Sequence, residues 1–476
     1  MAFAGLDVGT SGCKVVVYDR KGTIVFTSSR KYQELGGDGY REIDPSVIRI
    51  KVCDVLKDMG ENCQDVVEAM AVTTLGESVV FLDSEDNCLS NSMVTGDKRG
   101  IEETRELIES VGAKKIQDTT GIPPSELYGL PKYMWVNKHT NYIKQAEKIM
   151  FYEDFVTYLL TGKRMVSYSS ACRSMAFDIE KKCWSKELLD KAGIAVGQMS
   201  EPKEAGTIIG KVLPEVAEKL HLNKEMIVVT GGHDQSLAAL GSGLNSPDCG
   251  ECGMGTCEFT FLMLPNAVKN EIMMENDLPC VPYVLPDSYL VGLEVTTCGI
   301  LKNWCIDTFL SDLKRECESK KQDIFQKLDE LIGGMETDVM VLPQFGSSGN
   351  PDINYDVKGT ITGLTIHTKP EEIYLAVLEG FAFQTLLAYE EAKKVGAKVE
   401  RIICTGGGSK SKVTLQIRAN VLDVDVATIN SEESGTLGCV ILASTAVGAF
   451  EDIQDAIGHL VKVKDLIHPN HQHQEY

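Results

Sequence analysis

Long apolar runs are missing from this 476-residue sequence, and no window approaches the roughly 18 uninterrupted apolar residues that a membrane-spanning helix requires. The first residues, MAFAGLDVGTSG, also lack the basic segment and the apolar core of a secretory signal peptide. We therefore expect a cytoplasmic protein that neither crosses a membrane nor is secreted.

Positive charge is scarce. The chain has 47 lysine and arginine residues against 69 aspartate and glutamate residues, for a formal net charge of −22, and the basic residues form no cluster in the sequence. Binding to the phosphate backbone of a nucleic acid requires a basic face. Nucleic acid is therefore not expected as a partner, although backbone N–H groups and one or two lysines can still hold the phosphates of a small molecule.

Cysteine is not rare in this sequence, but a small disulfide-stabilised fold is excluded all the same. The fifteen cysteines are scattered along a long chain that lacks a signal peptide. Disulfides persist mainly in oxidising compartments and are dense in small secreted domains. We therefore expect reduced, mostly buried thiols.

The stretch IVVTGGHDQSLAALGSG, residues 227–243, lies almost at the midpoint of the chain. Its β-branched start predicts a strand, the pair Gly231 and Gly232 predicts a tight turn, and the apolar spacing that follows predicts a helix. Asp234 falls where this helix begins. It is either an N-cap that accepts hydrogen bonds from the free N–H groups of the helix, or a general base that faces a cleft.

Two glycine-rich turns between β-strand patterns lie about half a chain apart. In FAGLDVGTSGCKVVVYD the turn is GTSG at residues 9–12, and in CGMGTCEFTFLML it is GMGT at residues 253–256. Each turn is either that of an ordinary hairpin or a cradle of N–H groups and hydroxyls for phosphate. Asp7 could hold a hydrated Mg²⁺ beside the first turn. The repetition predicts a duplicated fold with a nucleotide between its halves.

A third glycine-rich turn, TGGGSKS, follows a predicted strand at residues 402–404 and precedes a predicted helix. Its glycines let a flat or polyanionic ligand approach the backbone. The turn lacks the G-x-G-x-x-G spacing of a Rossmann fingerprint. No Walker A loop occurs either, because the nearest stretch, GTIIGKV at residues 206–212, has the wrong spacing and no serine or threonine after Lys211. P-loop and protein-kinase mechanisms are therefore excluded.

Several segments, taken in order, resemble the FGGY family of carbohydrate kinases, which belongs to the superfamily of actin, hexokinase and heat-shock ATPases. They are LDVGTSGCKVVVYD with the following GYREIDP, then YGLPKYMWVNKH, TGGHDQ, GTITGLTIHTKPEEIYLAVLEGFAFQ and TGGGSKS. The resemblance implies an α/β fold of two ribonuclease-H-like domains with a hinged cleft between them. We divide the chain into residues 1–243 and 244–476, at the linker-like GSGLNSPD.

The resemblance implies ATP-dependent phosphorylation of a hydroxyl on a small sugar, polyol or aldonate, with Mg²⁺. Phosphoryl transfer depends on in-line positioning and charge neutralisation. Asp234 would be the catalytic base, His233 would shape the sugar site, and Asp7 would hold Mg²⁺ through water. The nucleotide would be held by the three turns and their neighbours: Gly9, Thr10, Ser11, Lys14, Gly255, Thr256, Gly299, Gly406, Gly407, Gly408 and Ser409.

The identity of the sugar is the least determined feature. After the strand that ends near Thr74 comes LGESVVFLD, where family members contact substrate hydroxyls. Xylulose kinases typically have Met-His here and glycerol kinases Arg-Glu, whereas this chain has Gly76 and Glu77. The missing Arg argues against glycerol, and the missing Met-His weakens a xylulose-like pentulose. Glu77 is either an acceptor for a substrate hydroxyl or a solvated loop carboxylate.

The same superfamily allows a second class of function, an actin-like or chaperone-like ATPase switch that phosphorylates no sugar. Asp234 and the PKYMWVNKH segment favour the kinase, because a switch needs neither a base nor a sugar pocket. A non-catalytic relative that acts as a sensor is disfavoured, because the phosphate motifs are intact. The resemblance also allows a homodimer.

Overall fold

The computed structural model describes residues 1–37 and 39–470, and each half of this chain contains one large mixed sheet. Within the described residues the first sheet has six strands, in the spatial order Ile208–Lys211, Ile227–His233, Val67–Thr74, Ala2–Val8, Gly12–Asp19 and Ile24–Lys31. The second sheet has seven, in the order Cys280–Pro282, Tyr289–Val295, Glu258–Leu264, Cys249–Met254, Arg401–Thr405, Asp425–Ile429 and Val463–Ile467.

The two sheets repeat one arrangement. From Ile24–Lys31 to Ile208–Lys211, successive neighbours pair antiparallel, antiparallel, parallel, parallel and antiparallel. The same series runs from Tyr289–Val295 to Val463–Ile467, and the short strand Cys280–Pro282 is added at the edge. The predicted duplicated α/β fold is therefore confirmed.

Helices and short strands connect the sheets and surround them. The longer helices are Pro45–Asn62, Ile101–Val111, Ala113–Thr120, Gly129–His139, Tyr152–Thr161, Asp234–Gly241, Cys298–Phe309, Ser311–Lys320, Ile324–Ile332, Pro370–Lys394, Lys412–Leu422, Ser434–Ala446 and Ile453–Leu460. Shorter helical turns are Tyr142–Gln145, Tyr168–Ala171, Cys172–Ser174, Lys186–Lys191, Val196–Gln198, Pro214–Leu220, Glu271–Glu275 and Gly407–Lys410. Short strands pair as Leu35–Gly37, Tyr40–Ile43 and Ser92–Met93, as Val79–Leu82 and Lys148–Phe151, as Met165–Ser167 and Glu201–Lys203, as Phe177–Asp178 and Cys183–Trp184, and as Met340–Leu342 and Thr360–Thr362. In the described part of the chain, every helix is too short or too polar to cross a membrane.

Both faces of the first sheet are buried, because successive side chains of a strand point to opposite faces. Ala4 and Leu6 belong to the hydrophobic cluster of helix Pro45–Asn62, whereas Phe3 belongs to a second cluster on the other face. The helix begins where proline occupies its first turn and the Asp44 side chain accepts a hydrogen bond from the Ser46 N–H at 2.8 Å. The sheet is thus covered on both sides, as parallel strands require.

Two helices, Asp234–Gly241 and Ser434–Ala446, join the halves of the molecule and are called the central helices below. They pack against each other, and the second also packs against Ala2–Val8 of the first sheet. The contact is close: a Cβ on Gly438 would overlap the carbonyl oxygen of Leu237. A late segment of the chain therefore supports the first sheet, and the division into residues 1–243 and 244–476 stays a prediction.

All fifteen cysteines are free in the structure, and most of them are buried, as expected; their reduced state stays a prediction. The bounds predicted for the two glycine-rich turns were wrong at one residue each. Gly12 was predicted to lie in the first turn, but it begins strand Gly12–Asp19, so that turn covers residues 9–11. Gly253 was predicted to lie in the second turn, but it lies within strand Cys249–Met254, and the turn itself covers residues 255–257. Gly253 pairs with Phe259 in the antiparallel ladder, so the ladder extends the strand past the first glycine.

Candidate active site

The strand that leads to Asp234 continues through both glycines and ends at His233, so the predicted tight turn at Gly231 and Gly232 was wrong. The strand has a register irregularity against Val67–Thr74 between Val229 and Gly232. A Cβ at Gly231 would overlap the backbone of Val72. Glycine is therefore needed here for close packing between two strands, and not for a turn.

Asp234 is the first residue of its helix, and its side chain does not cap that helix. Within residues 1–37 and 39–470, its Oδ1 accepts a hydrogen bond only from the adjacent Gln235 N–H, at 2.6 Å, and the N-cap position is occupied by His233. A capping side chain would instead accept from the second or third N–H group of the helix. The side chain of Asp234 is 44% exposed, and the His233 Nε2 lies 3.2 Å away. The carboxylate is therefore open to a ligand.

The pKa of Asp234 depends on the other residues that were predicted to form the site. Burial raises the pKa of Asp234, His233 lowers it, and the carboxylates of Asp7 and Glu77 raise it. Burial also lowers the pKa of His233, which favours a neutral imidazole. A carboxylate with a raised pKa is a stronger proton acceptor, as a general base requires.

Glu153 was missed by the sequence interpretation, yet it holds the strand before Asp234. This fully buried side chain accepts a hydrogen bond from the Gly231 N–H at 3.0 Å and from the Ser167 hydroxyl at 2.8 Å. Ser169 continues the network, because its hydroxyl accepts from the His233 N–H at 3.2 Å. Burial raises the pKa of Glu153 to about 7, although these hydrogen bonds lower it. The irregular strand is therefore held by a network from distant residues.

Glu77 is buried, with 3% of its surface exposed, so the interpretation of a solvated loop carboxylate was wrong. It forms an ion pair with Arg173 and accepts a hydrogen bond from the Thr95 hydroxyl at 2.8 Å. Burial raises the pKa of Glu77, but the charges of Arg173, His233 and Lys132 outweigh burial and lower it to about 2. Glu77 is thus ionised at neutral pH.

A cavity of about 370 Å³ also touches Glu77, and Lys132 and Trp135 lie in its wall. Neither Arg173 nor Asp234 lines this cavity.

The first turn, residues 9–11, is closed by hydrogen bonds from an unexpected residue. The Gly9 N–H donates to the Gly12 carbonyl at 2.9 Å. Tyr32, which no sequence motif indicated, donates its hydroxyl to the carbonyl oxygens of Gly9 at 2.5 Å and Gly12 at 3.0 Å. These carbonyls are thereby occupied, and Thr10 and Ser11 form the tip of the hairpin.

Asp7 and Lys14 face each other across this hairpin. Burial raises the pKa of Asp7 to about 6, while Lys14 lowers it and Glu433 raises it. Lys14 itself forms an ion pair with Glu433 at 2.7 Å, which connects the first sheet to the start of the second central helix. The predicted phosphate-binding lysine is therefore held by a carboxylate from the other half of the chain.

The role predicted for Asp7, to hold a magnesium ion through water, stays a prediction. Among the described residues, no group of three or more His, Cys, Asp and Glu side chains could hold a metal directly. Mg²⁺ commonly keeps several waters and uses one or two carboxylates together with substrate phosphates. The charge of Asp7 also raises the pKa of Asp234, so a divalent cation near Asp7 would relieve a repulsion between the two carboxylates.

The second turn, residues 255–257, lies at the same sheet edge as the glycine loop, residues 406–409. Their preceding strands, Cys249–Met254 and Arg401–Thr405, are parallel neighbours. Gly406 has a positive φ of 79°, and a Cβ there would lie 2.8 Å from the Met254 carbonyl oxygen. The structure therefore places Gly255 and Thr256 beside the residues Gly406, Gly407, Gly408 and Ser409.

Gly299 completes this group, at the start of helix Cys298–Phe309. Its N–H donates to the Thr256 carbonyl at 2.8 Å, and a Cβ on Gly299 would lie 2.9 Å from the Gly255 carbonyl oxygen. Only glycine lets the helix approach the turn so closely. The residues of the second half that were predicted to bind the nucleotide thus lie close together at one edge of the second sheet.

Comparisons with known proteins agree with this arrangement. The N-terminal domain of the FGGY family of carbohydrate kinases matches residues 2–241, and the C-terminal domain of that family matches residues 250–447. The chain is 24% identical to a xylulose kinase of Staphylococcus epidermidis, over 99% of this chain and 93% of the relative. It is 26% identical to a gluconokinase of Bacillus licheniformis, over 95% of this chain and 90% of the relative.

A solved structure of ligand-bound xylulose kinase from Lactobacillus acidophilus superposes on the protein with a TM-score of 0.88 at 25% identity, over 99% of this chain and 94% of that one. The two sheets with their repeated strand order form the actin-like ATPase fold of such kinases. Since the two family domains match most of the sequence, the chain belongs to the FGGY family of carbohydrate kinases.

Proposed function

We propose that Asp234 is the general base of this carbohydrate kinase and accepts the proton of the sugar hydroxyl that attacks ATP. One observation carries the proposal: the Asp234 carboxylate stands at the start of a helix without capping it. The carboxylates of Asp7 and Glu77 also raise its pKa, which supports a role as base. A carboxylate that served only the helix would be turned toward the N–H groups of that helix.

In the proposed reaction, the bond between the sugar oxygen and the γ-phosphorus forms while the bond to the ADP oxygen breaks. Asp234 takes the proton from the attacking hydroxyl, and ADP leaves. His233, neutral and 3.2 Å from Asp234, orients the carboxylate. Glu77 accepts a hydrogen bond from another hydroxyl of the sugar, because its carboxylate is ionised and acceptor-only.

The nucleotide lies, in this proposal, between the first turn at residues 9–11 and the second turn with the glycine loop. Backbone N–H groups of the turns hold the phosphates. The glycine loop accepts the adenosine, because its backbone can approach a flat ligand. Mg²⁺, held by Asp7 through water, would neutralise phosphate charge. Each sheet contributes one turn, so the two halves must close together on one triphosphate.

We also place the enzyme in the cytoplasm. Its fifteen cysteines are all free, which suits a reducing compartment. ATP as the phosphoryl donor suits the same compartment. The homodimer stays a prediction.

The test is acceptor-dependent release of ADP, measured across a panel of pentuloses, hexuloses, polyols and aldonates. A sugar kinase should release ADP stoichiometrically with the phosphorylated acceptor and only slowly without one. An ATPase switch would instead release ADP at a rate that no acceptor changes. That second result would reject the kinase mechanism proposed for Asp234.

A further inference from the structure

We propose that Arg173 and Glu77 act together to select an uncharged ketose or polyol and to reject an aldonate. This inference rests on the proposed function, because it concerns the acceptor of the same kinase site. Both classes occur among the relatives, since xylulose kinases and a gluconokinase each resemble this chain. The choice between them therefore depends on the residues of this particular site.

Arg173 reaches the site from the helical turn Cys172–Ser174 and pairs with Glu77, which lies 96 positions earlier in the chain. The guanidinium also stacks over the ring of Tyr128, at 4.9 Å from the centroid. Thr95 donates its hydroxyl to the other oxygen of Glu77 at 2.8 Å. Both charged groups are thus fixed by more than one contact, and their charges compensate each other.

The Arg173–Glu77 pair lies next to His233, the neighbour of Asp234, and the glycine at position 76 leaves room for this approach. A Cβ on Gly76 would lie 2.8 Å from the His233 ring and 3.1 Å from the Arg173 Nε. The guanidinium and the imidazole therefore occupy the space that a side chain at position 76 would fill. The buried Nε of Arg173 has no hydrogen-bond partner among the described residues, so a substrate oxygen that reached it would pair a donor that is otherwise unpaired.

Three carboxyl groups, those of Glu77, Glu294 and Asp234, surround this surface. Glu294 lies near Arg173, and burial raises its pKa to about 7 while Arg173 lowers it. Lys132, the other cation that acts on Glu77, donates to the carbonyl oxygens of Val94 and Leu127 at 3.2 Å and 3.0 Å.

An aldonate would therefore bring a carboxylate to a site whose guanidinium is already neutralised. A buried charge without a partner is strongly disfavoured, and repulsion between like charges is an effective means of rejecting a ligand. A neutral acceptor avoids this cost. A hydroxyl of such an acceptor can accept a hydrogen bond from the Arg173 Nε and donate one to Glu77, because a hydroxyl is both an acceptor and a donor.

The experiment compares matched acceptors with the wild-type enzyme. The best neutral acceptor of the panel is paired with the aldonate of the same carbon number and configuration, for example D-glucitol with D-gluconate or xylitol with D-xylonate. We expect kcat/KM for the neutral acceptor to exceed that for the aldonate by about 100-fold or more. A wild-type enzyme that prefers the aldonate would overturn the inference while leaving the kinase function intact.

Glu77→Gln then tests the origin of the selection. The variant keeps the size of the side chain but releases the charge of Arg173, so the ratio of aldonate to neutral kcat/KM should rise at least about tenfold. Its kcat/KM for the neutral acceptor should fall about 10- to 150-fold. The KM for ATP should stay near that of the wild type.

Glu102→Gln is the matched control, because Glu102 pairs with Arg105 on an exposed helix surface. This control should keep the wild-type ratio. An unchanged ratio in Glu77→Gln would overturn the role of the pair, and the wild-type comparison decides the selection even if this variant fails to fold. Absence of turnover with every acceptor would instead reject the proposed function.

Discussion

Replacing Asp234 by asparagine separates the two interpretations of this residue. Asparagine is as good an N-cap as aspartate, but it cannot accept a proton from a hydroxyl. A purely structural role would therefore survive the Asp234→Asn change, and a catalytic role would not. The amide oxygen can still accept the hydrogen bond from the Gln235 N–H, which spans 2.6 Å in the wild-type protein.

The expected loss of activity is large, and the expected loss of stability is absent. Removal of a general base typically lowers kcat by about 10²- to 10⁴-fold. Burial, Asp7 and Glu77 all raise the pKa of Asp234, so ionisation of this group at neutral pH opposes folding. A neutral amide should therefore leave the melting temperature unchanged or raise it slightly.

The assay follows ADP release at saturating acceptor, with ATP affinity measured separately by calorimetry in the absence of acceptor. The dissociation constant for ATP should change less than about threefold, because the carboxylate acts on the hydroxyl and not on the nucleotide. Asp44→Asn is the control, since Asp44 caps helix Pro45–Asn62 and should tolerate the change with full activity. A kcat within about twofold of wild type for Asp234→Asn would refute the assignment of the base.

Other predictions follow from the same structure. Burial raises the pKa of Glu251 from 4.5 to about 8, so between these pH values the folded state binds one proton more than the unfolded state. The stability of the wild type relative to Glu251→Gln should therefore fall by roughly 1.4 kcal/mol for each unit by which the pH rises in this range, and melting curves across pH would show this. Glu153→Ala should lower the free energy of unfolding in urea by about 3–5 kcal/mol, because the Gly231 N–H and the Ser167 hydroxyl lose their acceptor and a cavity remains. Small-angle scattering should show a smaller radius of gyration when an ATP analogue and the acceptor are both present, and an unchanged radius would count against closure of the two halves.

Motifs that are local in the chain were predictable. A hairpin needs two strand patterns and a turn between them, so the first turn could be located from residues 2–19 alone. The recurrence of that pattern half a chain later was sufficient to predict the duplicated fold, which the repeated strand order confirms. The residues beside the turns, from Asp7 to Ser409, were assigned from the resemblance to the kinase family, and the roles given to them stay predictions.

Contacts between residues that are distant in the chain could not be predicted. Arg173 lies in SACRSMAF, where no periodicity or motif distinguishes it, and its meaning comes from Glu77 at a separation of 96 positions. Glu153 contacts Gly231 over 78 positions, and Lys14 contacts Glu433 over 419. Such pairs form only when separate strands and helices meet, so sequence spacing contains no signal for them.

Gly231 and Gly232, which precede Asp234, separate what the sequence determined from what the tertiary structure decided. The sequence by itself determined that a strand leads into a helix here, because β-branched residues and helical apolar spacing are local properties. Only the tertiary structure decided that the strand continues through Gly231, because the reason is the backbone of Val72 in the neighbouring strand. The burial of Glu77 was decided in the same way, since the solvent exposure of a loop carboxylate depends on which distant groups pack around it.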